Sequence, residues 1–181
     1  MPAGVLETAR RVLDLTLAQP ATLGPGRLVC LDGPAGSGKT TLARAVQLLE
    51  PASTVVHLDD LLDGWGGLSG VAERLDPLLL PLARGEAGRY ERYDWIAGEF
   101  AEWVSVEPTP LLILEGVGSG SLRHAARCTT LVWVEVDDEL RLRRGLERDG
   151  EAMRPHWEQW MLEERAHHVD QRSMARADMV V

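Results

Sequence analysis

Between residues 5 and 18, Leu6, Ala9, Leu13 and Leu17 recur at helical spacing with charges between them, which predicts an amphipathic packing helix ending before Pro20. Residues 1–22 are assigned to that element. After a Gly/Pro turn at Gly24 to Gly26, the pattern changes to a short apolar run, Leu28-Val29-Cys30-Leu31, followed by a glycine-rich stretch. Leu42, Ala45, Val46 and Leu49 then stand at i, i+3, i+4 and i+7, so the segment reads as strand, loop, helix.

Three more apolar runs end in acidic residues: Val55 to Leu58 before Asp59-Asp60, Leu111 to Leu114 before Glu115-Gly116, and Leu131 to Val136 before Asp137-Asp138. Each is followed by helix-compatible sequence. Unbroken apolar runs of this length belong to strands covered on both faces, so the class is α/β, a three-layer sandwich with a mostly parallel sheet of about five strands. In such sheets ligands gather at the carboxyl ends of strands, where Gly33, Asp59, Glu115 and Asp137 fall. Gly64 to Gly70 and Gly85 to Gly88 read as mobile loop hinges. Asp60, Asp137 and Asp138 read as helix caps. No internal repeat or linker divides the chain, so residues 1–181 are expected to form one domain.

Composition narrows the class. A chain of 181 residues with 45% apolar content can bury a core of its own. It has no apolar stretch of membrane-spanning length and no secretory leader pattern, so a cytoplasmic protein is expected. A net charge of -9 argues against a nucleic-acid partner, and an oligomer is compatible with the sequence. Cys30 and Cys128 lack metal or redox spacing and are expected to be reduced, structural thiols. No His cluster suggests a metal site or a catalytic triad.

The stretch Gly33 to Thr40 reads G-P-A-G-S-G-K-T and meets the phosphate-loop pattern G-x-x-x-x-G-K-[ST] in the strand-to-helix context the pattern requires. Backbone amides and the helix N-terminus cradle phosphates, the lysine reaches the β/γ-phosphates and the hydroxyl binds Mg²⁺. The expected nucleotide contacts are Gly33, Ala35, Gly36, Ser37, Gly38, Lys39, Thr40 and Thr41. Every other cation among the 19 basic residues is arginine, so the sole lysine stands where a compact ammonium is needed. Asparagine is absent, so the N-K-x-D motif of a GTPase cannot occur, and the chain is short for ABC or AAA+ modules. A small-molecule kinase using ATP and Mg²⁺ fits the size.

Phosphoryl transfer needs a base for the acceptor hydroxyl and carboxylates for Mg²⁺. Asp59 and Glu115 are placed for these jobs; Thr40, Asp59 and Glu115 are the expected metal ligands. From Glu139 to Asp149, Arg141, Arg144 and Arg148 form one stripe opposite Leu142 and Leu146. Such a helix, in a lid region over residues 139–155, brings guanidinium groups to the phosphoryl group, with Arg144 and Arg148 catalytic beside Lys39 and Asp59. Trp157, Trp160 and Met161 read as core, and Trp65 as either pocket wall or loop anchor.

The order of these motifs resembles the uridine kinase family and its relatives, the phosphoribulokinase, pantothenate kinase and nicotinamide riboside kinase group, over residues 27–181. Asp59-Asp60-Leu61-Leu62 is similar to the D-x-F-Y-like motif whose aspartate serves as base, with the aromatics replaced. Tyr93-Asp94-Trp95 is similar to the Y-D-[FH] motif that contacts the nucleoside. Glu115-Gly116 matches the family's E-G pair, Arg141 to Asp149 its lid helix, and Ala177 to Val181 its closing strand. The resemblance implies an ATP-dependent kinase phosphorylating a hydroxyl acceptor such as a nucleoside, with Tyr93, Asp94 and Trp95 binding it. The alternative from the loop alone is an ATP-binding switch or assembly ATPase without an acceptor.

Overall fold

The structure, a computed structural model, describes residues 1–181. Five parallel strands form the central sheet in the order β2-β5-β1-β6-β7: β1 Arg27–Asp32, β2 Thr54–His57, β5 Leu111–Glu115, β6 Thr130–Trp133 and β7 Met179–Val180. Side chains alternate through the sheet plane. On β1, Leu28 and Cys30 enter one core while Val29 and Leu31 enter the other, and on β5 Leu112 and Leu114 oppose Leu111 and Ile113 in the same way. Both faces are therefore buried, which is why these strands read as unbroken apolar runs. Cys30 and Cys128 are free thiols.

One face is covered by helix α1 (Ala3–Leu17) and helix α2 (Lys39–Leu49), through Ala9, Val12, Leu13, Leu42, Ala43, Ala45 and Val46. The other receives a 3₁₀ turn at Leu58–Leu61, a second at Gly64–Gly70, the short helices α3 (Val71–Arg74) and α4 (Asp76–Leu82), and the long helix α6 (Arg154–Gln171). Helix α5 (Asp138–Asp149) precedes α6, and α7 (Ser173–Arg176) leads into β7. No helix is long and apolar enough to cross a membrane.

Several elements depart from the sequence reading. The run Leu131 to Val136 leaves the sheet after Trp133, and Leu58 belongs to the 3₁₀ turn instead of β2. Gly64 to Gly70 forms a 3₁₀ helix seated on α6, with Leu68 in the core, in place of an open hinge. Residues 88–106 form an antiparallel hairpin, β3 (Gly88–Asp94) with β4 (Glu99–Val106), forming a sheet of its own. Its strands carry few core positions. Cross-strand pairs hold them, Arg92 Nε donating to Glu102 Oε1 at 2.7 Å and the Arg89 guanidinium lying 4.6 Å above the Trp103 ring.

Candidate functional site

Parallel pairing puts the carboxyl ends of β1, β2 and β5 at one edge of the sheet, in a register that aligns Leu31 with Glu115 and His57 with Glu115. The glycine-rich loop leaves β1 there and opens α2. Gly36 and Gly38 take φ of 78° and 101°, left-handed values that residues with a Cβ adopt only under strain. These turns direct successive backbone amides inward. The amides of Gly36, Gly38, Lys39 and Thr40 have no partner within the protein, whereas that of Thr41 bonds Gly38 O at 3.0 Å. These free amides lie at the positive end of α2, an arrangement that suits a bound anion.

Two loop amides are engaged elsewhere. Gly33 N donates to Asp32 Oδ1 at 2.8 Å and Ala35 N to Glu164 Oε2 at 2.9 Å. Lys39 is buried with its Nζ bonded to Gly33 O (2.8 Å) and Pro34 O (2.7 Å). Burial pulls its ammonium below the usual lysine range, against the opposing pull of Asp32, Asp59, Glu115 and Glu164. Thr40 Oγ1 donates to Glu115 Oε1 at 3.0 Å, and the same oxygen lies 2.5 Å from His57 Nδ1. Glu115 raises the imidazole of His57 above its usual value. His57 had no signal in the sequence beyond its place at a strand end.

Asp59 and Asp60 lie in the turn after β2. Burial raises both carboxyl groups; Lys39 and Arg148 draw Asp59 back down, and His57 and Arg92 do so for Asp60. Asp60 caps nothing, in contrast to the sequence reading: the turn has no side-chain cap bond, and Asp60 lines a cavity. Asp137, as expected, caps α5 by accepting from Glu139 N and Leu140 N, each at 3.0 Å. Asp138 instead pairs with Arg141 and Arg165.

That cavity, of about 720 Å³, joins the two halves of the site. Its lining includes the loop, Lys39, Thr40, Asp59 and Glu115 together with Leu62, Trp65, Trp95, Met153, Trp157 and Trp160. Trp65 is the centre of the aromatic wall, with ring centroids 6.0 Å from Trp95, 6.1 Å from Trp157 and 5.9 Å from Trp160. Trp157 and Trp160 are thus both core and pocket wall. Trp95, at the tip of the hairpin, donates Nε1–H to Asp59 O at 3.0 Å. Its neighbours stay outside the lining: Tyr93 is buried against Trp95 and Phe100, and Asp94 Oδ1 closes the hairpin turn by accepting from Ile96 N and Ala97 N.

The arginine helix divides. Arg141, read as part of an open cationic stripe, is 2% exposed and paired with Glu164 and Asp138, because α5 turns that face onto the phosphate loop. A Cβ at Gly36 would stand 3.1 Å from Arg141 Cβ. Arg144 Nη1 donates to Gly36 O at 3.2 Å without lining the cavity. Arg148 does line it, forked onto Asp149 at 2.7 and 2.9 Å, and Asp149 also accepts from Trp157 Nε1 at 2.9 Å.

Asp32 is a functional position the sequence reading missed. Fully buried at the end of β1, it accepts from Gly33 N, Gly118 N (2.9 Å) and Gly120 N (3.1 Å), tying the loop to the segment after β5. Burial pushes its carboxyl up; His168, 3.4 Å away, and the amides outweigh this and hold it below the usual range.

No protein-family model and no curated protein matches the chain. Among solved structures it is similar to one described as a possible uridine kinase from Bacillus stearothermophilus, with a TM-score of 0.65 at 18% identity over 96% of this chain and 98% of that one. A protein assigned as a fructose transport system kinase from Silicibacter sp. TM1040 gives 0.64 at 19% identity, covering 98% of each chain. Both likenesses extend over nearly whole chains, so the α/β architecture implied by the motif order is the architecture found.

Proposed function

We propose that the protein transfers the γ-phosphoryl group of ATP to a hydroxyl of a small molecule of nucleoside size. One observation carries this reading: the phosphate loop and Asp59 line a single cavity together with four indoles, one of which, Trp95, is bonded to Asp59 itself. The fold shared with the two kinases supports it.

In this reading the free amides of Gly36, Gly38, Lys39 and Thr40 take the β-phosphate, and Lys39 exchanges its carbonyl partners for phosphate oxygens. Thr40, Glu115 and Asp59 are the oxygen donors for Mg²⁺, which neutralises developing phosphate charge when bound. They fit the ion: Mg²⁺ bound with a nucleotide takes one or two carboxylates plus phosphate oxygens and needs no full protein cage. Asp59 accepts the acceptor's hydroxyl proton. Arg148, released from Asp149, faces the transferring group, and Arg144 adds positive charge beside Gly36.

The indoles of the cavity offer planar apolar surface, and the carboxylates Asp60 and Asp149 in its lining are hydrogen-bond acceptors. The cavity's cations, Lys39 and Arg148, are both committed to the donor phosphates in this reading. A neutral polyhydroxylated acceptor with a flat ring, such as a nucleoside, suits this lining better than a phosphorylated or carboxylated one, which would be left without a free counter-ion.

The test is acceptor-dependent ADP release from MgATP across a panel of nucleosides, vitamins and sugars, with mass spectrometry of the product. A neutral acceptor should stimulate turnover and gain one phosphate, and Asp59→Asn should cut that stimulation to a small residual rate. If no acceptor stimulates turnover and Asp59→Asn leaves basal hydrolysis unchanged, the reading fails. An ATP-dependent change of oligomeric state without phosphorylated product would point to a switch instead.

A further inference from the structure

We propose that Glu164, in the middle of α6, is a positioning residue that keeps the phosphate loop in its nucleotide-accepting form through the amide of Ala35. The proposal rests on reading that loop as nucleotide-binding. Glu164 is 1% exposed, and its carboxylate meets three elements at once. Oε2 accepts from Ala35 N at 2.9 Å and from Trp160 Nε1 at 3.0 Å, while Oε1 pairs with Arg141 of α5.

Stability alone is a poor account of this arrangement. Two charges taken out of water are costly, and a buried ion pair can commonly be replaced by apolar side chains of equal volume without loss of stability. What apolar side chains cannot supply is an acceptor for the Ala35 N–H. The next residue, Gly36, has a left-handed φ of 78°, and its carbonyl accepts from Arg144 Nη1 at 3.2 Å. Glu164 holds the Pro34–Ala35 peptide through its N–H, and Arg144 holds the Gly36–Ser37 peptide through its C=O, so the two fix the loop on both sides of the Gly36 N–H. The glycine gives the backbone there little steric restraint of its own. Without an acceptor at Glu164 the Pro34–Ala35 peptide is free to reorient and to carry the Gly36 N–H, the first of the free amides, away from those of Gly38, Lys39 and Thr40. Glu164 also fixes the indole of Trp160, so one carboxylate sets the phosphate loop and a wall residue of the cavity together.

The experiment compares two double variants by calorimetric titration with MgADP and by thermal melting. Arg141→Met with Glu164→Gln removes both charges but leaves an amide oxygen for Ala35 N–H. Arg141→Met with Glu164→Met removes the charges and the acceptor. The first pair should bind MgADP within about threefold of wild type, and the second at least tenfold more weakly, at comparable melting temperatures. Equal affinities in the two pairs would overturn the proposal. Amide exchange in the nucleotide-free wild-type protein supplies a readout independent of variant folding. The Ala35 amide should exchange at least tenfold more slowly than those of Gly36 and Gly38, and equal rates would also overturn the proposal. If wild-type protein binds no MgADP, the proposed function fails, while the exchange result still decides whether Glu164 holds the loop.

Discussion

The indole of Trp157 lies directly on the backbone of α5 at Gly145, so that a Cβ there would overlap Cζ2 and Cε2 and stand 2.8 Å from Cη2. Glycine inside a helix ordinarily costs about 1 kcal/mol relative to alanine. Here the close approach decides against alanine, because Trp157 is 2% exposed and boxed in by Trp65. Gly145→Ala is expected to destabilise by about 1–3 kcal/mol despite its better propensity. Urea unfolding checks this, and an increase in stability would show that Trp157 moves freely.

Asp32 is expected to be the costliest single polar position of the loop. Removing its carboxylate strands the amides of Gly33, Gly118 and Gly120, each worth about 1–3 kcal/mol when left unsatisfied in the interior. Relief of a buried charge offsets part of that, so Asp32→Ala should lose about 3 kcal/mol in denaturant unfolding. The pH dependence has a definite sign. A carboxyl whose folded pKa is depressed stabilises above its unfolded value, near 3.8, and loses that contribution as pH falls through the folded one. Wild type and Asp32→Asn should therefore differ most at neutral pH and converge in acid.

Lys39 separates affinity from stability. Lys39→Met strands the carbonyls of Gly33 and Pro34 but relieves the desolvation of a buried ammonium, effects of opposite sign that should leave stability within about 1 kcal/mol of wild type. MgADP affinity should fall at least tenfold. Lys39→Arg should not restore it, because a planar fork does not fit where a compact ammonium is held between two carbonyls. Calorimetry on the folded variants tests both statements.

A general base acts only when ionised, so the acid limb of kcat/KM should follow Asp59, which burial raises above the ordinary aspartate value of 3.8 in the metal-free protein and which bound Mg²⁺ draws down. His57, raised by Glu115, is a second titrating group beside the site and must be distinguished from Asp59. His57→Gln should keep the limb. Asp59→Asn should leave a residual rate without it, and a limb that survives Asp59→Asn but vanishes in His57→Gln would assign it to the imidazole.

The legible parts of this fold were those with local causes. The strand runs Leu28 to Leu31 and Leu111 to Leu114 are apolar because both faces are buried, and the sequence G-P-A-G-S-G-K-T signals its turn through its own glycines and the helix that follows. The hairpin of residues 88–106 was not legible, since Arg89, Glu91, Arg92 and Glu102 interrupt any apolar run and its stability comes from pairs across the strands. Arg141 misled for a related reason. On a helical wheel it belongs with Arg144 and Arg148, and nothing local says that Glu164, 23 residues later, will bury it.

By itself, then, the sequence determined the α/β class, the phosphate loop and the acidic residues at the strand ends, because periodicity and backbone turn chemistry act over a few neighbouring residues. The partners of those residues were decided by the tertiary structure alone: Asp32 on the distant amides of Gly118 and Gly120, Glu164 on Ala35, Arg141 on Glu164, and four tryptophans from three separate segments around one cavity. Contacts of that kind depend on how whole elements pack, and side-chain pattern within any one element carries no record of them.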